Sequence, residues 1–404
     1  MRKAFTWACR ILVGATFIFS GIVKADDPIG SGIKMGEYFE ELFRMPFLQP
    51  AALPITFFLI VLEIMLGVTC LFGIKMKWTS WLLLLMILFF SFLTFSSAFW
   101  GVVPECGCFG DFLKMTQWQS FGKNVVLLLL ILPVFLQRRS IRPVFKPRQN
   151  NAVFTACLLL AVAFPAYCLH YLPIWDFRPY AVGSNLREQM KTVKAPTFSD
   201  PYFVYKNKTT NEEGKYFIVK TDAKGVPDLA DSLSKIKLGY KVMPWRSNPH
   251  DSLWRVNNEF VKTNQDKLDD GIPAKITDFI PTDENGRSVT DSLLNLKKPA
   301  LWLILYDVQS AKASSVKTLA SLGREAEKNG YAVFGFSSNE KRTLDEFRQS
   351  HNLSFPFFTC DSKVLQTMVR SNPGLLLVKD GIVLDMWSKN NLPDPAALFR
   401  SHGK

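Results

Sequence analysis

Five apolar stretches, each close to the length of a membrane crossing, crowd into the first part of the chain: Ala4 to Val23, Leu53 to Ile74, Trp78 to Phe99, Phe121 to Leu136 and Ala152 to Leu172. About 20 such residues cross a hydrocarbon layer of roughly 30 Å as a helix, and in lipid every backbone group must be satisfied within the segment or a closed barrel. The expected fold is therefore an α-helical membrane bundle with five transmembrane helices. The fourth stretch is the shortest and carries Pro133, which a membrane helix tolerates when its neighbours satisfy the freed carbonyl.

Lysine and arginine near the spans set the orientation, because loops on the cytoplasmic side carry the positive excess. Arg2 and Lys3 precede the first span, Lys75 and Lys77 join the second and third, and Arg138, Arg139, Arg142, Lys146 and Arg148 join the fourth and fifth. The opposite loops carry Asp26, Asp27, Glu37, Glu40 and Glu41 in one case, and Glu105 and Asp111 in the other. The N-terminus is thus expected inside the inner (cytoplasmic) membrane, with everything after Trp175 on the periplasmic side. Tyr167, Tyr171 and Trp175 at one end, with Trp78 and Trp81 at the other, fit interfacial aromatic belts. Val23-Lys24-Ala25 also resembles a signal-peptide cleavage site, although Arg10 and the length of the run favour a retained helix. The formal charge of +13 belongs largely to the cytoplasmic loops, where it sets topology and meets anionic lipid. Nucleic acid is not an expected partner; the bilayer is.

Between the third and fourth spans lies Pro104-Glu105-Cys106-Gly107-Cys108-Phe109-Gly110-Asp111. Two cysteines separated by one glycine can close a tight disulfide, and a strained disulfide is the reducible kind. Cys106 and Cys108 are the candidate catalytic residues; the competing reading is a disulfide that only shapes the loop. Zinc is not expected, since a structural site wants four ligands and His170, His250, His351 and His402 have no ligand spacing. Cys9, Cys70 and Cys157 read as packing residues, and Cys168 as a packing residue or a partner for the loop pair. Glu63, in the middle of the second span, reads either as a proton relay or as a polar contact between helices. Lys24 reads as a snorkelling cation with Asp26 and Asp27 as surface partners.

After the fifth span the composition becomes that of a water-facing protein. Residues 186–275 give a poor signal, with a β-hairpin expected across Tyr202 to Val219. From residue 276 onward the order reads β-α-β-α-β-β-α. Leu301 to Tyr306 suits a buried central strand, followed by a helix burying Val316, Leu319, Leu322 and Ala326 and stopping at Asn329-Gly330. Tyr331 to Phe336 is the next strand. Thr343-Leu344-Asp345-Glu346 has capping-box spacing at the start of a second helix, and Phe355 to Phe358 follows as a strand. Leu375 to Val378 and Ile382 to Met386 flank the turn Lys379-Asp380-Gly381.

This last region resembles a thioredoxin-like domain, with Pro373 where that fold carries its cis-proline. It departs from the family after the first central strand, where Asp307-Val308-Gln309-Ser310-Ala311-Lys312 replaces Cys-x-x-Cys. The domain is then not expected to run dithiol exchange alone, since that reaction needs an attacking and a resolving thiol. Its one cysteine, Cys360, reads as a packed residue whose thiol Asp361 would make less acidic.

Taken together, Gly21-Ile22-Val23-Lys24-Ala25-Asp26-Asp27-Pro28, the stretch Leu62-Glu63-Ile64-Met65-Leu66-Gly67, and Cys106-Gly107-Cys108-Phe109-Gly110 resemble the DoxX-like membrane superfamily, and within it the MauE-type (methylamine utilisation protein E) proteins. The resemblance covers residues ~1–140 and implies a four-helix bundle to which the fifth span is an addition. It also implies a link to the maturation of a disulfide-rich enzyme, as for MauE, or to quinone-linked sulfur chemistry, as for DoxX relatives.

The expected organisation is a four-helix membrane domain over 1–140, then a basic loop, fifth helix and connector over 141–185. A periplasmic region over 186–275 precedes a thioredoxin-like α/β domain over 276–404 that lacks Cys-x-x-Cys. The expected function is thiol–disulfide redox chemistry on a periplasmic protein client through Cys106 and Cys108, with a quinone as the electron carrier. The alternative is a non-enzymatic, membrane-anchored assembly or binding factor.

Overall fold

The computed structural model describes residues 2–103, 110, 112–113, 115–217, 236–237, 241–242, 256–269 and 271–402. The expectations for Cys106 and Cys108 lie outside these residues. Residues Met1–Gln189 and Asp278–Lys404 form one compact unit, and Met190–Thr277 form another.

The first helix, α1, runs Arg2–Asp26 and is followed directly by α2, Pro28–Glu37. The remaining long helices are α3 (Ala52–Phe72), α4 (Met76–Trp100), α5 (Gln117–Leu136) and α6 (Pro147–His170). Five of the six, all but α2, have the length and apolarity of membrane spans, so this is an integral membrane protein. Small residues let α1 and α3 approach closely: a side chain on Gly67 would stand 2.8 Å from the Gly14 carbonyl oxygen, the close helix packing that glycine permits in membranes. Buried Arg10 donates from Nε to the Cys70 carbonyl at 3.1 Å and from Nη2 to that of Leu71 at 3.0 Å. The Arg10 guanidinium thus supplies donors to two carbonyls in the last turn of α3, and Gly73 at φ +72° closes the helix.

The acidic stretch after α1 is not an open loop. Asp27 caps α2 by accepting from the Gly30 N–H at 2.9 Å, with Pro28 in the first turn, and α2 continues into a π-turn over Tyr38–Leu42. These are ordinary helix-start signals placed immediately after a span. The fourth span likewise begins earlier than its apolar run, because Thr116 and Gln119 form a reciprocal capping box that draws in polar Gln117.

The sheet domain has five strands, β1 (Ala300–Ile304), β2 (Ala332–Ser337), β3 (Phe357–Thr359), β4 (Gly374–Lys379) and β5 (Ile382–Ser388), in the order β5-β4-β1-β2-β3. β1, β2 and β3 are mutually parallel, while β4 runs antiparallel to β1 and β5. This is thioredoxin-like topology, a βαβ half and a ββα half joined in one sheet. Every residue of β1 is buried, as its continuous apolar run requires when helices cover both faces. Helix Ala313–Lys328 buries Val316, Leu319, Leu322 and Ala326, and the β4–β5 turn uses Asp380 and Gly381 at φ +51° and +73°. The Asn372–Pro373 peptide bond is cis.

Two expectations here are corrected. A further helix, Ser362–Met368, stands between β3 and β4, begun by Asp361, whose side chain accepts from the Lys363 and Val364 N–H groups. Its few residues were too short a window for helical periodicity to register. The helix before β3 spans Lys341–Ser350 with Glu340 as its cap residue, so Thr343 lies inside the helix and not at its start.

In the second compact unit, strand Tyr202–Asn207 pairs antiparallel with Glu213–Phe217 and with Asn258–Asn264, and Lys241–Val242 joins the Glu213–Phe217 edge. Tyr202, Val204 and Phe217 form its small core.

Candidate functional site

Lys24 and Glu63 meet inside the bundle. The antiparallel packing of α1 on α3 brings Lys24 Nζ within 2.7 Å of Glu63 Oε2, with the two side chains only 12% and 4% exposed. The ammonium also sits 4.4 Å from the centroid of the Phe90 ring on α4, a favourable cation–π position. An ion pair removed from water persists only when each charge has its partner. The expectation of a snorkelling Lys24 with Asp26 and Asp27 at the surface is therefore overturned, and the partner of Glu63 is a lysine, not a hydroxyl or backbone group. Part of the signal was present in the sequence: opposite charges stand in adjacent apolar segments, and Glu63 has no charged neighbour along its own span.

The pair forms a wall shared by two cavities. One, partly open to the surroundings, lies among α2, α3 and α4, lined by Lys34, Tyr38, Thr56 and Leu93 besides Lys24, Glu63 and Phe90. The other lies among α1, α4 and α5 and reaches Ser20, Lys123 and Asn124. Phe90 and the ion pair line both. Tyr38 Oη lies 3.0 Å from Ser97 Oγ, and Asn124 donates to Thr94 Oγ1 at 3.2 Å. Thr56 is buried, and its Oγ1 has no hydrogen-bond partner among the described residues.

Asp26 and Asp27 have other work. Asp26 Oδ1 accepts from the Ile174 and Trp175 N–H groups at 2.9 and 3.2 Å, and Cys168 Sγ approaches it at 4.0 Å, which ties the end of α6 to the end of α1. Asp27 receives the guanidinium of Arg370 in a two-pronged contact, Nε at 3.0 and 2.9 Å from its two oxygens and Nη2 at 2.8 Å from Oδ2. Burial alone would raise the Asp27 carboxyl, but the Arg370 and Arg178 charges and the Gly30 N–H hold it below the usual carboxylate range. Arg370 immediately precedes the cis-proline loop of the sheet domain. Arg178, after α6, is held by Asp176 at 2.6 Å and donates to the Thr367 carbonyl at 3.3 Å. Lys363 reaches Glu37 at 3.6 Å. The sheet domain is thus fastened to the end of the bundle by a set of charge contacts around one edge of its cis-proline loop.

The site that would carry Cys-x-x-Cys is filled by polar groups. Asn372 Nδ2 donates to the Asp307 carbonyl and, at 3.0 Å, to Ser310 Oγ, spanning from the cis-proline loop to the start of helix Ala313–Lys328. Burial works against the charged form of Asp307, but hydrogen bonds led by Ser310 and Gln309 hold its carboxyl below the usual range. Cys360 is buried, and burial first, then the neighbouring Asp361 and Asp278 charges, push its thiol up to about 12. Such a thiol is inert near neutral pH. Cys9, Cys70 and Cys168 are buried and Cys157 is partly buried; all four, like Cys360, are free thiols. Among the described residues no three His, Cys, Asp or Glu side chains are grouped to hold a metal ion.

The flanks of the Cys106–Cys108 loop are described. Gln117 Nε2 donates to the Val103 carbonyl at 3.3 Å, joining the two ends of the connection. Phe112 packs edge-on against Phe19 of α1, with centroids 5.6 Å apart, and against Phe177 at 4.9 Å, next to Arg178. Both flanks therefore lie at the end of the bundle that carries the sheet domain.

A family model described as methylamine utilisation protein MauE matches residues 2–137. No match is found among curated protein sequences. Among solved structures, peroxiredoxin Q of Xanthomonas campestris is similar at 16% identity, covering 31% of this chain and 92% of its own, with a TM-score of 0.24. A secreted Mycobacterium tuberculosis disulfide oxidoreductase homologous to E. coli DsbE aligns at 17% identity over 30% of this chain and 91% of its own, TM-score 0.24. Peroxidoxin BcpB of M. tuberculosis aligns at 17% identity over 31% and 94%, TM-score 0.26. The N-terminal membrane part of this chain is thus MauE-like over residues 2–137, joined to a C-terminal part with thioredoxin-like structural neighbours.

Proposed function

We propose that this is a thiol–disulfide redox protein of the inner membrane, acting on a periplasmic protein client through Cys106 and Cys108, with a quinone as electron acceptor. In the oxidising direction the reduced pair loses two electrons and two protons as the S–S bond forms, and the quinone takes up both to become a quinol. The disulfide is then attacked by a client thiolate and passes through a mixed disulfide to an oxidised client. The sheet domain, without thiols at 307–312, recruits or presents the client and does not exchange disulfides itself.

The observation that carries this reading is where the loop's flanks are held. Phe112, Phe19 and Phe177 fix them beside the end of α1 that also supplies Lys24 to the buried pair and Asp27 to the domain contact.

A second reading, a membrane-anchored assembly factor with a structural loop disulfide, is favoured by the Asp307-Val308-Gln309-Ser310-Ala311-Lys312 sequence. The two are separated by a non-reducing gel of Cys106→Ser and Cys108→Ser and by titration of the wild-type pair against glutathione. A catalytic pair gives a trapped client adduct in one mutant and a potential well above the roughly −300 mV of structural disulfides. A pair that stays oxidised under strongly reducing conditions, with no adduct in either mutant, establishes the assembly-factor reading instead.

A further inference from the structure

The cavity among α2, α3 and α4 is walled by two ammoniums and one carboxylate. Lys24 is answered by Glu63, while Lys34 on α2 donates at 3.2 Å to Glu37, which stands outside the wall and is also approached by Lys363 at 3.6 Å. Among these five groups one positive charge is left over; Glu40 and Glu41 on the next turn are exposed, where water and salt screen them. An ammonium has three protons, and one from each lysine goes to its carboxylate, so among the described residues Lys24 and Lys34 both keep donor capacity beside the cavity. Thr56, near the start of α3, is 4% exposed, and its Oγ1 has no hydrogen-bond partner among the described residues. Leu59, Ile60 and Leu93 supply apolar wall.

A cationic guest would meet two ammoniums as like charges. An apolar guest would leave the surplus charge uncompensated and the Thr56 hydroxyl unpaired, and a free inorganic anion would leave the apolar wall uncovered. We infer that this cavity is a binding site for an anionic amphiphile, an oxyanion head on an alkyl chain, with the head held by Lys34 Nζ and Thr56 Oγ1 and the chain laid against Ile60 and Leu93. Hydrogen bonds from an ammonium and a hydroxyl to an oxyanion are charge-assisted, the strong kind. Thr56 and Glu63 stand seven residues apart on α3, roughly 10 Å along its axis, so a head at Thr56 is kept off the Glu63 carboxylate, which Lys24 already neutralises. Two sources share this chemistry, the carboxylate of a free fatty acid and the phosphate of an anionic phospholipid. Neither depends on the thiol chemistry at Cys106 and Cys108.

The site is tested on the full-length protein in phosphatidylcholine nanodiscs by saturation binding of radiolabelled oleate and, separately, of radiolabelled dioleoylphosphatidylglycerol, with empty discs as the background. Oleyl alcohol, which has the chain without the charge, and oleylamine, which has the opposite charge, serve as competitors. Lys34→Gln removes the charge at a partly exposed position, and Thr56→Val removes only a hydroxyl without a partner among the described residues, so both variants keep the fold. Thr56→Phe fills the cavity. At least one of the two anions should bind the wild type saturably, bind Lys34→Gln and Thr56→Val each about tenfold more weakly through the loss of one charge-assisted hydrogen bond, and fail to bind Thr56→Phe. Oleate binding alone assigns the site to a free acid, phosphatidylglycerol binding alone to a phospholipid head, and binding of both to the oxyanion they share. No saturable binding of either anion overturns the site, as does unchanged affinity in both Lys34→Gln and Thr56→Val. Displacement by oleyl alcohol or oleylamine as effective as by the unlabelled anion overturns the selection for negative charge.

Discussion

The contact between Arg370 and Asp27 should decide how firmly the sheet domain is held to the bundle. The Arg370 side chain is 5% exposed and that of Asp27 20%, with three N–H···O contacts of 2.8 to 3.0 Å between them. Removing one member of a buried pair costs about 3–5 kcal/mol because the other charge is stranded, and the partial exposure of Asp27 argues for the low end, about 3 kcal/mol. Asp27→Asn is the clean perturbation, since asparagine still caps α2 while the charge is lost. A cost of about 3 kcal/mol is a factor of roughly 150 in the docking equilibrium. Hydrogen exchange of a peptide covering 362–374, measured on the full chain in nanodiscs, should quicken by about that factor in Asp27→Asn and in Arg370→Gln. The double mutant should exchange no faster than either single one, because both remove the same interaction. Single mutants within threefold of the wild type, or additive effects in the double, would refute the assignment of the docking energy to this pair.

Because the folded Asp27 carboxyl is held below its usual range, the stabilisation it gives is complete above the unfolded value near 4 and is lost as pH falls through the depressed one. The protection factor of the same peptide, its exchange rate referred to the intrinsic amide rate at each pH, should therefore be flat from about pH 8 to 5 and fall only in stronger acid. Lys24→Met should destabilise the bundle by about 3–5 kcal/mol through stranding Glu63, and Lys24→Met/Glu63→Gln by less, read as midpoint shifts in detergent unfolding. Cys360, with its thiol near 12, should resist iodoacetamide at pH 8 in the folded protein and react on unfolding; rapid labelling of the native state would contradict its burial. Impermeant thiol reagents on mildly reduced spheroplasts should label the Cys106 loop but not a cysteine engineered near Arg142, and the opposite pattern would invert the proposed orientation.

Much of the architecture was legible along the chain because the signals are local. Apolar length marks a membrane helix whatever it packs against, and the continuous run Leu301 to Tyr306, the Asp380-Gly381 turn and Pro373 each carry backbone preferences that survive any tertiary context. Local signals misled where they were weak or where neighbouring residues competed for them. Thr343 offered a cap that the helix from Lys341 ignores, and helix Ser362–Met368 was too short for its periodicity to register.

The sequence by itself determined that the chain crosses a membrane, that its C-terminal part has an α/β sheet pattern, and that this part lacks thiols where a dithiol enzyme would carry them. Those properties follow from residue type, run length and turn chemistry. Only the tertiary structure decided the pairings. Lys24 with Glu63 follows from glycines that let α1 lie close against α3, and Asp27 with Arg370 joins residues 343 positions apart that share no local signal. A charge in an apolar run announces that it needs a partner; which partner depends on helix packing and on domain docking, and neither is encoded in any short stretch of chain.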